Sequence, residues 1–206
     1  MARLMRSGLR IGVFGGTFDP PHIAHLVLAD EARYQLDLDK VLWLLTPDPP
    51  HKRERTLTPA EHRLPLLEAA IADNSCFSVS KIDITRPPPQ FAVDTMLILR
   101  KRYPRSTIYY LMGGDSLHDL PTWERPKEFM DQCDGLGVMR RPGAEIDIDE
   151  INRLLPGVQK KTIFVDAPLM NISASKIRER RISGRPFRYY VPDRVFYLIQ
   201  EMNLYR

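Results

Sequence analysis

The sequence predicts an α/β fold in which a central parallel sheet is flanked by helices, and three features point to it. Short apolar runs alternate with stretches of helical periodicity along most of the 206 residues, the pattern of strands joined by crossover helices. The first run ends in Gly15-Gly16 and feeds directly into a helical stretch. From about residue 171 onward the chain carries helical patterns without a further strand. In such a sheet the crossovers are right-handed, and ligands collect at the carboxyl ends of the strands.

Strands are expected over residues 11–14, 41–45, 77–84, 107–112, 136–139 and 162–165, and helices over 23–35, 59–72, 93–103, 127–131 and 148–154. Thr58, Pro59 and Glu61 read as a capping box with proline at the first helical position of the second helix. Pro65 removes a backbone donor inside that helix, which predicts a kink. Pro87-Pro88-Pro89 cannot continue a strand ladder and predicts a stiff loop before the third helix. In the last part Ser173 is the expected N-cap of a helix over 174–182 that Gly184 ends, and a final helix over 192–204 starts near Asp193.

A composition of 43% hydrophobic and 27% charged residues is that of an ordinary globular protein. The length suits a single domain over 1–206 with a helical C-terminal portion at about 171–206. No apolar stretch could span a bilayer, and residues 1–8 lack the apolar centre of a signal peptide, so a cytoplasmic protein without a membrane partner is expected. Cys76 and Cys133 match no metal-binding or redox spacing, and no protein-borne metal site is expected. The net charge of +4 suits phosphorylated small-molecule substrates, although weak nucleic-acid contact would fit it too.

The turn after the first strand carries the chemistry. Gly15 and Gly16 let backbone approach a ligand with no Cβ between them, and the following helix start offers unpaired N–H groups and the positive end of a dipole. His22 and His25 lie three residues apart and share one helix face. Together these imply an anionic ligand.

The segment resembles the GTFDPxHxGH-like signature of the nucleotidyltransferase superfamily, keeping Gly16, Thr17, Phe18, Asp19, Pro20, His22 and His25. Ala24 stands where the superfamily usually has glycine, a small intrusion of one methyl group. The resemblance implies a Rossmann-like nucleotidyltransferase fold. Further segments are similar, in order and approximate spacing, to the bacterial nicotinate-nucleotide adenylyltransferases. Pro49-Pro50-His51-Lys52 is a stiff loop carrying a mobile cation. Leu111-Met112-Gly113-Gly114-Asp115-Ser116 places an acid at a helix start, where it suits a ribose or a magnesium-bound phosphate and equally an N-cap.

Trp123, in a polar loop, offers a π face to a pyridinium, with core packing as the competing reading. Arg141, before Pro142-Gly143, matches the family arginine that binds the mononucleotide phosphate. Asn171-Ile172-Ser173-Ala174-Ser175-Lys176-Ile177-Arg178 is similar to the superfamily's ISSTxIR motif, with Ser175 in place of threonine. Hydroxyls, helix N–H groups and a guanidinium can then converge on one polyphosphate. Arg180, Arg181, Arg185 and Arg188 otherwise read as a solvated basic face, while Lys176 is open between that face and the polyphosphate.

The resemblance implies transfer of AMP from ATP to nicotinate mononucleotide, with Mg2+ bound mainly through the ATP phosphates. It implies catalytic roles for His22, His25, Lys52 and Arg178. ATP would be held by Gly15, Gly16, Thr17, Phe18, His22, His25, Gly113, Asp115, Ile172, Ser173, Ser175 and Arg178. The mononucleotide would be held by Gly16, Thr17, Lys52, Trp123, Glu124 and Arg141. A homo-oligomer is compatible with it, and no nucleic-acid partner is expected. The rival readings are a same-fold enzyme preferring nicotinamide mononucleotide and, further off, a nucleic-acid-binding protein that retains the fold.

The largest departure is Gln90-Phe91-Ala92, where the family commonly has Ser-Tyr-Thr near the pyridine carboxylate. If the backbone donors there survive, the nicotinate form should still be preferred by at least about tenfold, roughly 1.4 kcal/mol.

Overall fold

The computed structural model describes residues 7–47, 57–140, 146–168 and 170–206. Among them six strands form one sheet: β1 (Arg10–Gly16), β2 (Lys40–Leu45), β3 (Phe77–Ser80), β4 (Thr107–Gly113), β5 (Gly135–Met139) and β6 (Thr162–Val165). Their order is β3-β2-β1-β4-β5-β6, with every neighbouring pair parallel. The order reverses between β1 and β4, and the crevice at the carboxyl ends of these two strands is the ligand position this topology favours.

Side chains alternate across the sheet, as a period of two requires. Phe14, Trp43, Leu45 and Leu111 face a core completed by α1 (Ile23–Gln35), α2 (Ala60–Ile71), α8 (Ala174–Ile182) and α9 (Asp193–Glu201). Ile11, Val13, Leu42, Leu44 and Ile108 face the other. That side is closed by α3 (Ala92–Arg102), α4 (Gly114–Asp119), α5 (Pro126–Gln132), α6 (Ile148–Leu154) and α7 (Val158–Lys161). Among the described residues no helix is long and apolar enough to cross a membrane.

Several elements differ from the sequence expectation. β3 ends at Ser80 rather than at residue 84, because Asp83 is buried and bonded to Arg86 and Thr95, which draws the chain out of the ladder into a turn. The N-cap of α2 is Pro59, so the expected capping box is absent. Thr58 instead gives its N–H to Asp19 and its carbonyl to Arg63. The helix runs on through Pro65 as one element. α4 begins at Gly114, where the sequence places a helix start, whereas α7 carries no signal, since four residues are too short for a periodicity to register. Ser173 does cap α8, accepting from the Lys176 N–H at 3.3 Å, and Gly184 follows the helix at φ +69°.

Candidate active site

At the end of β1 the chain turns sharply, with Phe18 at φ +45° in the left-handed region. Its ring folds back over Gly16, where a Cβ would stand 2.9 Å from it. A Cβ on Gly15 would stand 2.8 Å from the Tyr110 hydroxyl. Two aromatic side chains of the protein itself therefore crowd these glycines, a reason for them that stands beside any approach of a ligand. Phe18 is 2% exposed and packs against Phe14, Trp43 and His25, so only its backbone is available to a nucleotide.

Asp19 follows and is buried. Tyr205 donates its hydroxyl to Oδ1 at 2.8 Å, and the Thr58 N–H reaches Oδ2 at 3.3 Å. Arg178 donates to the Asp19 backbone carbonyl and stands 3.8 Å from its carboxylate. This ties α8 and the C-terminal residues to the loop that opens α1. Burial, then the Asp19 charge, pushes the Tyr205 phenol well above its ordinary range, so it remains a donor. Arg63, 1% exposed, completes the anchor by donating to the carbonyls of Thr17, Thr46, Pro47 and Thr58 at 2.5–2.9 Å. Burial lowers its pKa and Asp19 opposes that pull.

On this base stand the two histidines. Their rings stack with centroids 3.6 Å apart and 19° between planes. His22 is the N-cap of α1, and its backbone N–H donates to His25 Nδ1 at 3.2 Å. An Nδ1 that accepts leaves the proton of the neutral ring on Nε2, which makes Nε2–H a donor for an anion.

Across the switch point from β1 a cavity of about 140 Å³ opens beside Gly15. Trp123 lines it while packing T-shaped with Tyr110 and Phe129 at 6.0 and 5.2 Å between centroids, so the packing reading holds and the ring also borders the cavity. Glu124, Gln90, Phe91, Asp83, Thr95 and Tyr110 complete much of the wall. Arg125 pairs with both Asp94 and Glu128 and so links the Trp123 loop to α3. Burial drives the Tyr110 phenol well above its usual value and keeps it protonated.

A larger cavity of about 330 Å³ lies at the start of α8, lined by Ile172, Ser173 and Lys176 among others. Ser173 and Ser175 are hydroxyl to hydroxyl at 3.1 Å, and Lys176 donates to Asn171 at 2.6 Å. Gly113 is the N-cap of α4, with open space where a Cβ would be. Asp115 is exposed in the first turn of α4, which excludes the N-cap role for it. Lys52 and Arg141 lie outside the described residues. Sequence reasoning missed the anchors. Asp19 lay in plain view within the motif, whereas Arg63 looked like one more helix charge and Tyr205 carried no local signal at all.

Comparison with known proteins agrees with this architecture. Residues 13–180 match the cytidylyltransferase-like family. The chain is 44% identical over 197 residues to a probable nicotinate-nucleotide adenylyltransferase of Thermomicrobium roseum, covering 96% of this chain and 92% of that one. It is 34% identical to the nicotinate-nucleotide adenylyltransferase of Bacillus subtilis, covering 95% and 98%. The structure of Plasmodium falciparum nicotinic acid mononucleotide adenylyltransferase complexed with NaAD superposes with a TM-score of 0.77 at 19% identity, covering 96% and 97%. That last likeness is one of fold.

Proposed function

Because the chain belongs to the nicotinate-nucleotide adenylyltransferases within the cytidylyltransferase-like family, we propose that it transfers AMP from ATP to nicotinate mononucleotide, giving deamido-NAD and pyrophosphate. The observation that carries the reading is the stacked histidine pair at the start of α1, beside an arginine that Asp19 draws in from α8.

An oxygen of the mononucleotide phosphate attacks the α-phosphorus of ATP. The bond from that phosphorus to the oxygen bridging to the β-phosphate breaks, and pyrophosphate leaves with the electron pair. A phosphate monoester is already a sufficient nucleophile, so catalysis rests on positioning and on donors aimed at the developing charge. His25 Nε2–H, the His22 ring and the free N–H groups of α1 supply those donors, and Arg178 supplies fixed positive charge. Lys52 adds a mobile cation and Arg141 holds the mononucleotide phosphate.

The nucleotide side is formed by Gly15, Gly16, the Phe18 backbone, Ile172, Ser173 and Ser175, with Gly113 and Asp115 toward the ribose. Thr17, Trp123 and Glu124 face the mononucleotide. The likeness to the family supports magnesium that arrives on the phosphates of ATP. There it would neutralise polyphosphate charge.

The test is pyrophosphate release from MgATP with and without nicotinate mononucleotide, with deamido-NAD identified as the second product. Release that does not depend on the mononucleotide, or none at all, would refute the reading.

A further inference from the structure

We propose that Tyr205 is a positioning residue for adenylyl transfer: its hydroxyl occupies the Asp19 carboxylate and so keeps that carboxylate from capturing Arg178, whose charge stays directed at the polyphosphate. The proposal rests on the adenylyltransferase reading above and on the part it gives Arg178.

Asp19 is 2% exposed, so donors of the protein must meet its charge. Tyr205 supplies one to Oδ1 at 2.8 Å, and the Thr58 N–H supplies a longer one to Oδ2 at 3.3 Å. Two guanidinium groups stand nearby, and they differ in what they have left to give. Arg63 spends all but one of its N–H groups on the carbonyls of Thr17, Thr46, Pro47 and Thr58. Arg178 spends a single N–H of Nη1, on the Asp19 backbone carbonyl, among the described residues. The same Nη1 stands 3.8 Å from Oδ2, beyond hydrogen-bond distance. Asp19 therefore holds Arg178 by its backbone while its carboxylate is turned to Tyr205.

That division is what the phenol maintains. Without its hydroxyl, Oδ1 is a buried charged acceptor lacking its donor, and Arg178 is the neighbouring fork with N–H groups to spare. A carboxylate and a guanidinium pair best side by side through two bonds, a geometry that would turn the Arg178 fork onto Asp19 and cancel the charge the reaction uses. Burial, then the Asp19 charge, keeps the phenol protonated, so the donor is present wherever the enzyme is assayed. The path of the chain to this contact is itself costly: after α9 it enters the left-handed region at Asn203 (φ +57°) and again at Tyr205 (φ +58°), where a bulky side chain is disfavoured. The contact reached at that cost is the one with Asp19, three residues ahead of the His22 that caps α1.

The experiment is the full chain carrying Tyr205→Phe, which keeps the ring and removes only the donor, assayed well below its unfolding midpoint. Its kcat/KM for ATP should fall by at least about tenfold, the scale of a small misplacement at the reacting centre, while KM for nicotinate mononucleotide stays within about twofold. Val195→Ala, in the core under α9, gauges a purely structural loosening of the same helix and should lower the midpoint with kcat/KM for ATP within about twofold. p-Aminophenylalanine in place of Tyr205 restores a donor on the same ring and should bring kcat/KM for ATP back to within about threefold of the parent. Calorimetric titration with MgATP, which needs no turnover, completes a cycle with Arg178→Lys: Tyr205→Phe should weaken MgATP binding by at least about threefold in the parent and by less than about 1.5-fold beside Arg178→Lys. Equal losses for both substrates, a Val195→Ala variant with the same kinetic profile, no recovery with the amino analogue, or additive effects in the cycle would each overturn the proposal. A parent chain that forms deamido-NAD while Tyr205→Phe matches it overturns this inference alone, whereas a parent that forms none refutes the adenylyltransferase reading.

Discussion

Replacing Arg63 by alanine should destabilise the protein by about 3–5 kcal/mol, the scale for breaking a buried ionic network by removing one partner. Its guanidinium makes four hydrogen bonds to backbone carbonyls that come from three separate segments, the β1–α1 loop, the chain after β2 and Thr58 ahead of α2. A bond to a charged donor contributes about 1.5–3 kcal/mol net when counted singly, but four bonds to one buried guanidinium share its desolvation and are not additive, so their sum of roughly 6–12 kcal/mol is an upper bound. Denaturant unfolding followed by circular dichroism reads the difference as a shift in midpoint at unchanged slope. Arg63→Lys keeps the charge but not the planar fork, and should fall between the two. A loss below about 1 kcal/mol in Arg63→Ala, or a lysine variant as stable as the parent, would show that water satisfies these carbonyls and that Arg63 does not hold the loops together.

His22→Ala should lower kcat by on the order of a hundredfold or more with the circular dichroism spectrum retained. A folded variant turning over near the parent rate would remove His22 from the reaction. Trp123→Ala should raise KM for the mononucleotide by a factor corresponding to about 1–2 kcal/mol while KM for ATP stays within about twofold. Equal effects on both substrates would show that its contacts with Tyr110 and Phe129 are what matter. Burial pushes the Cys133 thiol from 9.0 up to about 12. The unfolded chain therefore loses this proton before the folded one does, and stability that is full below pH 9 should decline as pH rises toward 12. Cys133→Ser retains a donor for the Phe129 carbonyl and should flatten that decline. Identical slopes in parent and variant would refute the assignment to this thiol.

What the sequence determined by itself was local. Apolar runs separated by helical periods required a parallel sheet, because strands buried on both faces leave continuous apolar runs that few other arrangements produce. The serine before α8 and the glycine after it were legible, since a cap depends on a few neighbouring residues. The histidine pair was legible for the same reason, being fixed by a spacing of three on one helix.

Tertiary structure alone decided what depends on residues far apart in the chain. Asp19 meets Tyr205 across 186 positions and Arg178 across 159, and nothing local to any of the three announces the meeting. Tyr110 and Phe18 occupy the space that Gly15 and Gly16 leave open, a contact that no local pattern announces. The end of β3 was set by Asp83 finding Arg86 and Thr95, which outweighed a run that reads as strand. Gln90 showed only as a departure from a motif until the Arg86 carbonyl fixed its amide and left one acceptor unanswered. Propensity and spacing act over a turn or a few residues, whereas buried polar groups must find partners wherever the fold supplies them.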